Sequence, residues 1–244
     1  MTSPISIRPR RAMVLAAGLG KRMRPITATV PKPLVEVNGK ALIDYGLDKL
    51  ERAGVESAIV NVHYLPDLVS VHVGRRRKPK VTISDERAKL LDTGGGIAKA
   101  LPYFEGEPFY VINADSFWIE GARPNLDWLA STWNPEAMDA LLLLASTVRS
   151  VGYHGRGDFR MDAAGRLSRR PEREVAAFAY SGAAILHPRL FENCPEGPFS
   201  LNRLFDRAIE NERLFGVRMD GIWLHVGTPE TIGEAELSIA DSAA

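Results

Sequence analysis

Cysteine occurs once in the 244 residues, at Cys194, which excludes an internal disulfide framework and a cysteine-rich zinc site. Neither charge is in excess: 31 Lys and Arg stand against 30 Asp and Glu, a formal net charge of +1. A protein whose main task is to coat nucleic acid or an acidic membrane is therefore not expected, and the short basic run Arg75-Arg76-Arg77-Lys78 reads as a solvated turn. No apolar run reaches the about 18 residues of a membrane span; the longest, residues 140–145, suits a buried strand. Residues 1–11 are polar, contain proline and lack an apolar stretch, so no secretory signal is expected and a cytoplasmic protein is. Repeats, low-complexity tracts and a clear linker are also missing. What is present is an ordinary globular composition, 45% hydrophobic and 25% charged, which argues against wholesale disorder. A chain of this length buries roughly 70–75% of its unfolded surface and needs no staples.

The first half alternates strand-like and helix-like segments. Apolar or β-branched runs predict strands over residues 12–16, 57–62, 80–84, 109–113 and 140–145. Helical spacing and Gly or Pro punctuation predict helices over 42–53, 66–73, 93–101 and 127–133. Strands separated by helices of this length imply βαβ units and a mostly parallel sheet. In the second half, residues 157–165 predict a hairpin turning at Asp162-Ala163-Ala164-Gly165, and residues 176–186 a strand interrupted at Ser181-Gly182. An amphipathic helix is predicted over 201–212. Residues 214–219 and 222–226 read as the two arms of a hairpin around Asp220-Gly221. A last helix over 229–240 has Thr228 as N-cap and Pro229 at its first position. The expectation is one α/β domain over residues 11–240 with small inserted hairpins.

The strongest chemical signal follows the first strand: Leu15-Ala16-Ala17-Gly18-Leu19-Gly20-Lys21-Arg22-Met23-Arg24-Pro25. Its glycines let the backbone approach a ligand, and successive N–H groups can cradle phosphate oxygens. Lys21, Arg22 and Arg24 add three positive charges. Met23 stands where a dinucleotide fingerprint needs its third glycine, and no Gly-x-x-x-x-Gly-Lys-Ser/Thr loop occurs. The competing reading is a tight turn with solvated basic residues. In Pro31-Lys32-Pro33-Leu34, two prolines fix the backbone around one lysine; a proline-rich surface loop is the alternative. Asp92-Thr93-Gly94-Gly95-Gly96 opens a short helix, where the glycines either admit a flat base or form a hinge. Asn113-Ala114-Asp115 ends a strand, where ligands of open α/β sheets bind, and one carboxylate plus substrate phosphates can hold Mg²⁺. The same aspartate could simply cap a loop. His225, in Trp223-Leu224-His225-Val226-Gly227-Thr228, is by itself more readily a structural histidine, and His63, His72, His154 and His187 show no metal-ligand spacing.

Taken in order, the loop 15–25, Pro31-Lys32-Pro33-Leu34, Asn113-Ala114-Asp115 and residues 223–228 resemble the sugar-1-phosphate nucleotidyltransferase family, over about residues 11–240. Within it, residues 92–97, Gly157-Asp158-Phe159 with Asp162, and residues 178–182 look most like the branch that transfers uridylyl groups to N-acetylmuramate 1-phosphate in cell-wall recycling. The resemblance implies a Rossmann-like, mostly parallel sheet with helices on both faces, divided into a nucleotide-binding half at about 11–145 and a sugar-binding half at about 146–240. It implies reaction of a nucleoside triphosphate, UTP by this branch, with a sugar 1-phosphate, releasing pyrophosphate. Arg22, Lys32 and Asp115 are the implied catalytic residues. Ala16, Ala17, Gly18, Gly20, Lys21, Arg22, Gly94 and Gly95 would bind nucleotide, and Asn113, Asp158, Ser181 and Gly182 the sugar. Asp115 would bind Mg²⁺, with His225 at the place where the family usually has a second metal-binding aspartate. A Glu-Lys-Pro sugar motif of longer relatives has no clear counterpart near Arg170-Pro171-Glu172. Two other readings stand beside this one: a mannose-1-phosphate guanylyltransferase, and a non-catalytic nucleotide-sugar binding regulatory subunit. No nucleic-acid or membrane partner is implied, and a monomer and a homodimer both fit.

Overall fold

Ala12, Met13 and Val14 have no solvent exposure and form the middle of the first strand. The computed structural model describes residues 8–242; the expectation for residues 1–11 therefore lies, over residues 1–7, outside the described residues. In chain order the elements are β1 (Arg11–Leu15), β2 (Glu36–Val37), β3 (Lys40–Ala41), α1 (Leu42–Arg52), β4 (Ser57–Val62), α2 (Pro66–Gly74), β5 (Lys80–Asp85), α3 (Asp92–Ala100), β6 (Phe109–Asn113) and β7 (Ser116–Glu120). They continue as α4 (Asn125–Thr132), β8 (Ala140–Ser146), β9 (Phe159–Met161), β10 (Leu167–Arg169), β11 (Phe178–Leu186), α5 (Asn202–Glu210), β12 (Leu214–Arg218), β13 (Gly221–His225) and α6 (Glu230–Ser242). Among the described residues no helix is long and apolar enough to cross a membrane.

The main sheet runs β5-β4-β1-β6-β11-β8-β12. Parallel pairing joins β5, β4, β1 and β6, and joins β8 to β12. Only β11 runs against its neighbours β6 and β8. Successive residues of one strand serve opposite faces. Val14, Val60 and Ile112 pack with α1, α2 and α4, whereas Met13, Ile59 and Val111 pack with α3 and α5. Burial on both sides explains why these strands are nearly continuous apolar runs in the sequence. The chain leaves β1 toward β4 and β5, then returns across it to β6. That reversal opens a crevice at the carboxyl ends of β1 and β6.

The inserted hairpin is present as β9 and β10, turning at residues 162–165, where Asp162 Oδ1 accepts from the N–H groups of Ala164 and Arg166. The interruption at Ser181-Gly182 is a shift of register between β11 and β8. The expected hairpin around Asp220-Gly221 is not formed. β12 extends the main sheet beside β8, while β13 pairs with β7, a strand the sequence reading did not assign. Asn125 explains the corner: its side chain takes the Asp220 N–H and donates to the Asp220 carbonyl, so the Asp-Gly pair turns the chain between two sheets. The β7–β13 ribbon, β2 and α6 enclose a third apolar cluster with Met23 and Leu42. α6 begins at Glu230, with Thr231 Oγ1 accepting from the Thr228 N–H and donating to its carbonyl.

Candidate active site

The loop after β1 is shaped by Gly20, whose φ of +61° lies in the left-handed region. A Cβ there would stand 3.1 Å from Lys32 Cβ and 3.1 Å from the Thr27 methyl. Thr27 is buried and donates from Oγ1 to the Gly20 carbonyl at 2.8 Å. The glycine therefore lets the basic loop close against the Pro31-Lys32-Pro33 turn. Lys21 and Arg22 are exposed, and no ion pair engages them among the described residues. Lys32, only 8% exposed, directs its ammonium to Asp115 Oδ2 at 2.6 Å.

Two cavities meet at that pair. The first, about 430 Å³, is lined by Ala16, Ala17, Gly18, Asn61, Asp92, Thr93 and Asn113 together with Lys32 and Asp115. The second, about 420 Å³, is lined by Gly20, Lys21, Arg22 and Gly227, again with Lys32 and Asp115. One cavity is thus walled by apolar and amide groups and the other by unpaired cations. The Lys32–Asp115 pair stands between them.

Asp115 is followed at once by β7, and β13 ends at His225, with Ser116 directly opposite His225. Burial pushes the Asp115 carboxyl up, but the Lys32 ammonium and His225 hold it below its ordinary value. Burial, aided by Lys32 and Arg22 against the pull of Asp115, lowers the His225 pKa, which favours the neutral imidazole. A Cβ on Gly227 would lie 3.0 Å from His225 Nε2 and 3.6 Å from Arg22 Nη1, so histidine and arginine flank the same glycine. Among the described residues no group of three His, Cys, Asp or Glu is arranged to hold a metal. A single carboxylate, completed by phosphate oxygens and water, nevertheless meets the needs of Mg²⁺; a neutral imidazole suits softer ions better.

The structure brings together Ala16, Ala17, Gly18, Gly20, Lys21, Arg22, Lys32, Asn113, Asp115 and His225. It places the others elsewhere. Gly94 and Gly95 face Phe199 and Gly197, and both their N–H groups donate to the Phe199 carbonyl, at 2.9 and 3.2 Å. The cavity wall at this point is Asp92 and Thr93 instead. Ser181 is fully buried and donates to the Leu143 carbonyl. Gly182 leaves room for the Asn113 side chain, which a Cβ would meet at 2.8 Å. Asp158 accepts the Tyr180 N–H at 2.8 Å and lines neither cavity. Two residues were missed: Asn61, which lines the first cavity, and Glu86, bonded to it. The available signal for the first was one amide inside an otherwise apolar strand.

Comparison with known proteins places the chain in a family. A family model described as nucleotidyl transferase matches residues 11–242. The chain is 47% identical to the N-acetylmuramate alpha-1-phosphate uridylyltransferase of Caulobacter vibrioides, over 96% of this chain and 98% of that one. It is 35% identical to the enzyme of the same name from Neisseria meningitidis, over 93% of this chain and 96% of the other. In fold it is similar to the crystal structure of HddC from Yersinia pseudotuberculosis, with a TM-score of 0.75 and 24% identity, covering 94% of this chain and 99% of that one.

Proposed function

Since the chain belongs to the nucleotidyl transferase family, we propose that it joins UTP to N-acetylmuramate 1-phosphate, giving the UDP-sugar and pyrophosphate, as a step of cell-wall recycling. The carrying observation is the Lys32–Asp115 pair at the junction of two cavities, one of them lined by the unpaired Lys21 and Arg22. The substrate pair is that in the names of the two relatives.

The first cavity receives the nucleoside and the second the outer phosphates. An oxygen of the sugar phosphate attacks the α-phosphorus in line. The new P–O bond forms as the bond from the α-phosphorus to the bridging oxygen breaks, and its electron pair leaves with pyrophosphate. Such a transfer depends on positioning and on neutralising charge, not on covalent help. Lys21 and Arg22 offset the charge that builds on the leaving pyrophosphate. Lys32 orients the incoming sugar phosphate. Asp115 would hold a Mg²⁺ ion together with phosphate oxygens, and that ion would supply further neutralisation. Once triphosphate is bound, the Lys32 ammonium is free to turn from Asp115 toward phosphate.

The test is pyrophosphate release from purified protein with four triphosphates and a panel of sugar 1-phosphates. Fastest release is expected with UTP and N-acetylmuramate 1-phosphate. Faster release with GTP and mannose 1-phosphate overturns the substrate assignment, and no release with any pair makes the chain a binding subunit.

A further inference from the structure

Asn61 and Glu86 are each 2% exposed, and the carboxylate has no cationic partner among the described residues. A buried carboxylate without a cation is costly, and apolar residues would fill the space more cheaply. Its bonding explains its presence. Asn61 Oδ1 accepts the Ala16 N–H at 2.8 Å, and Asn61 Nδ2 donates to Glu86 Oε1 at 2.8 Å. Glu86 Oε2 accepts the Leu91 N–H at 3.1 Å, just before α3. A Cβ on Gly96 would lie 2.7 Å from Asn61 Nδ2 and 2.8 Å from Glu86 Oε1, so α3 rests directly on the pair.

We propose that Asn61 and Glu86 are positioning residues forming a directional relay that sets the phosphate loop, at Ala16, against the Asp92-Thr93 wall of the nucleoside cavity. This rests on the nucleotidyl-transfer reading above. Both ends of the relay are backbone N–H groups, which can only donate. The amide must therefore turn its oxygen to Ala16 and its NH₂ to residue 86, which must then accept on both sides. Only a carboxylate does so; a glutamine offers one acceptor and one donor group. In Glu86→Gln a donor faces a donor at one of the three links. In the double variant Asn61→Asp/Glu86→Gln the order is restored with the charge moved. The carboxylate at position 61 accepts from Ala16 and from the glutamine amide, and the glutamine oxygen accepts from Leu91.

The experiment measures UTP binding by calorimetry, KM for each substrate, and thermal unfolding, for wild type, both single variants and the double variant. Glu86→Gln is expected to weaken UTP binding and raise its KM by about tenfold or more, with the sugar phosphate KM changed less than about twofold. Asn61→Asp alone sets two carboxylates face to face and is expected to be impaired at least as much. The double variant is expected to return to within about threefold of wild type, because the lost bonds are coupled. A Glu86→Gln protein that melts earlier but binds UTP normally overturns the relay, as does a double variant no better than the worse single one. Should Glu86→Gln fail to fold, the double variant still decides: folding and binding UTP supports the relay, and failing overturns it. Wild-type protein that binds no triphosphate overturns the nucleotidyl-transfer reading and the relay's role with it; binding that survives Glu86→Gln unchanged overturns the relay alone.

Discussion

Lys32 and Arg22 carry the same charge in opposite settings. Lys32 is held under two prolines with its ammonium on Asp115, whereas Arg22 stands in solvent on a glycine turn. Removing Arg22 therefore leaves the core untouched. Arg22→Ala is expected to fold normally and lose roughly 10²–10⁴-fold in turnover, the range for removal of a charge aimed at a transferring phosphoryl group; steady-state pyrophosphate release beside a thermal melt checks both halves. Lys32→Ala is expected to raise the sugar phosphate KM or lower kcat with triphosphate affinity largely kept. Separate titrations of the two ligands test this, and a selective loss of triphosphate affinity would move Lys32 to the other side of the reaction. These residues were legible because each sits in a short run whose backbone chemistry is itself distinctive. Asn61 and Glu86 were not, because they lie 25 residues apart in the chain and meet only where β4 and β5 pair edge to edge, Glu86 standing just after β5. Ser181 and Gly182 were singled out as an interruption in a strand; in the fold the Ser181 hydroxyl donates to the Leu143 carbonyl and Gly182 sits against the Asn113 side chain.

The start of α3, which lines the first cavity with Asp92 and Thr93, packs on the segment 197–199. Gly94 abuts the Phe199 ring, and a Cβ there would stand 2.9 Å from the Phe199 carbonyl oxygen as well. Gly94→Ala is expected to cost about 1–3 kcal/mol through overpacking, or roughly 2–10 °C in Tm. An unchanged melt would mean that Phe199 moves aside freely. In the fold Gly94 and Gly95 pack on the segment 197–199, a contact invisible in the letters, where a base and a phenyl ring call for the same small residue. The strands and helices of the βαβ units in the first half were read to within two residues, since such units carry their own periodicity, whereas the short β2 and β3 and the ribbon strand β7 were not assigned. β12 and β13 were joined wrongly because the Asp-Gly signal is local, whereas the Asn125 clamp that redirects it is 95 residues away.

Across the whole molecule, Asp139 ties distant parts of the second half together. Its Oδ1 accepts from Arg189 Nε at 2.5 Å and Arg213 Nε at 2.7 Å, while its backbone bonds Arg213 and His187. The start of β8, the end of β11 and the start of β12 are thereby joined. Burial pushes this carboxyl up, but the two guanidinium groups hold it below its ordinary value. A depressed carboxyl contributes stability that is fully present above its unfolded pKa, about 3.9, and is lost as pH falls through the folded value. Asp139→Asn is expected to lower stability by about 1–3 kcal/mol at neutral pH. The gap should close as pH drops below about 4. Melting curves of both proteins from neutral to acid pH read this directly; a gap that stays constant over that range would assign the loss to packing.

The β7–β13 ribbon has one further consequence. Because Asp115 adjoins Ser116, and Ser116 lies opposite His225, the separation of Asp115 and His225 follows from strand pairing, with about 5 Å between the facing Cα atoms of Ser116 and His225. Backbone pairing is indifferent to side-chain identity, so the position acts as an interchangeable socket. His225→Asp is expected to keep or raise Mg²⁺-supported turnover, and Asp115→Asn to cost far more than His225→Asn. Activity of the three variants across Mg²⁺ and Mn²⁺ concentrations measures this, and an active Asp115→Asn beside a dead His225→Asn would reverse the two roles. On the proposed reading, the choice of ion can then drift by a single codon while the frame that sets the distance stays unaltered.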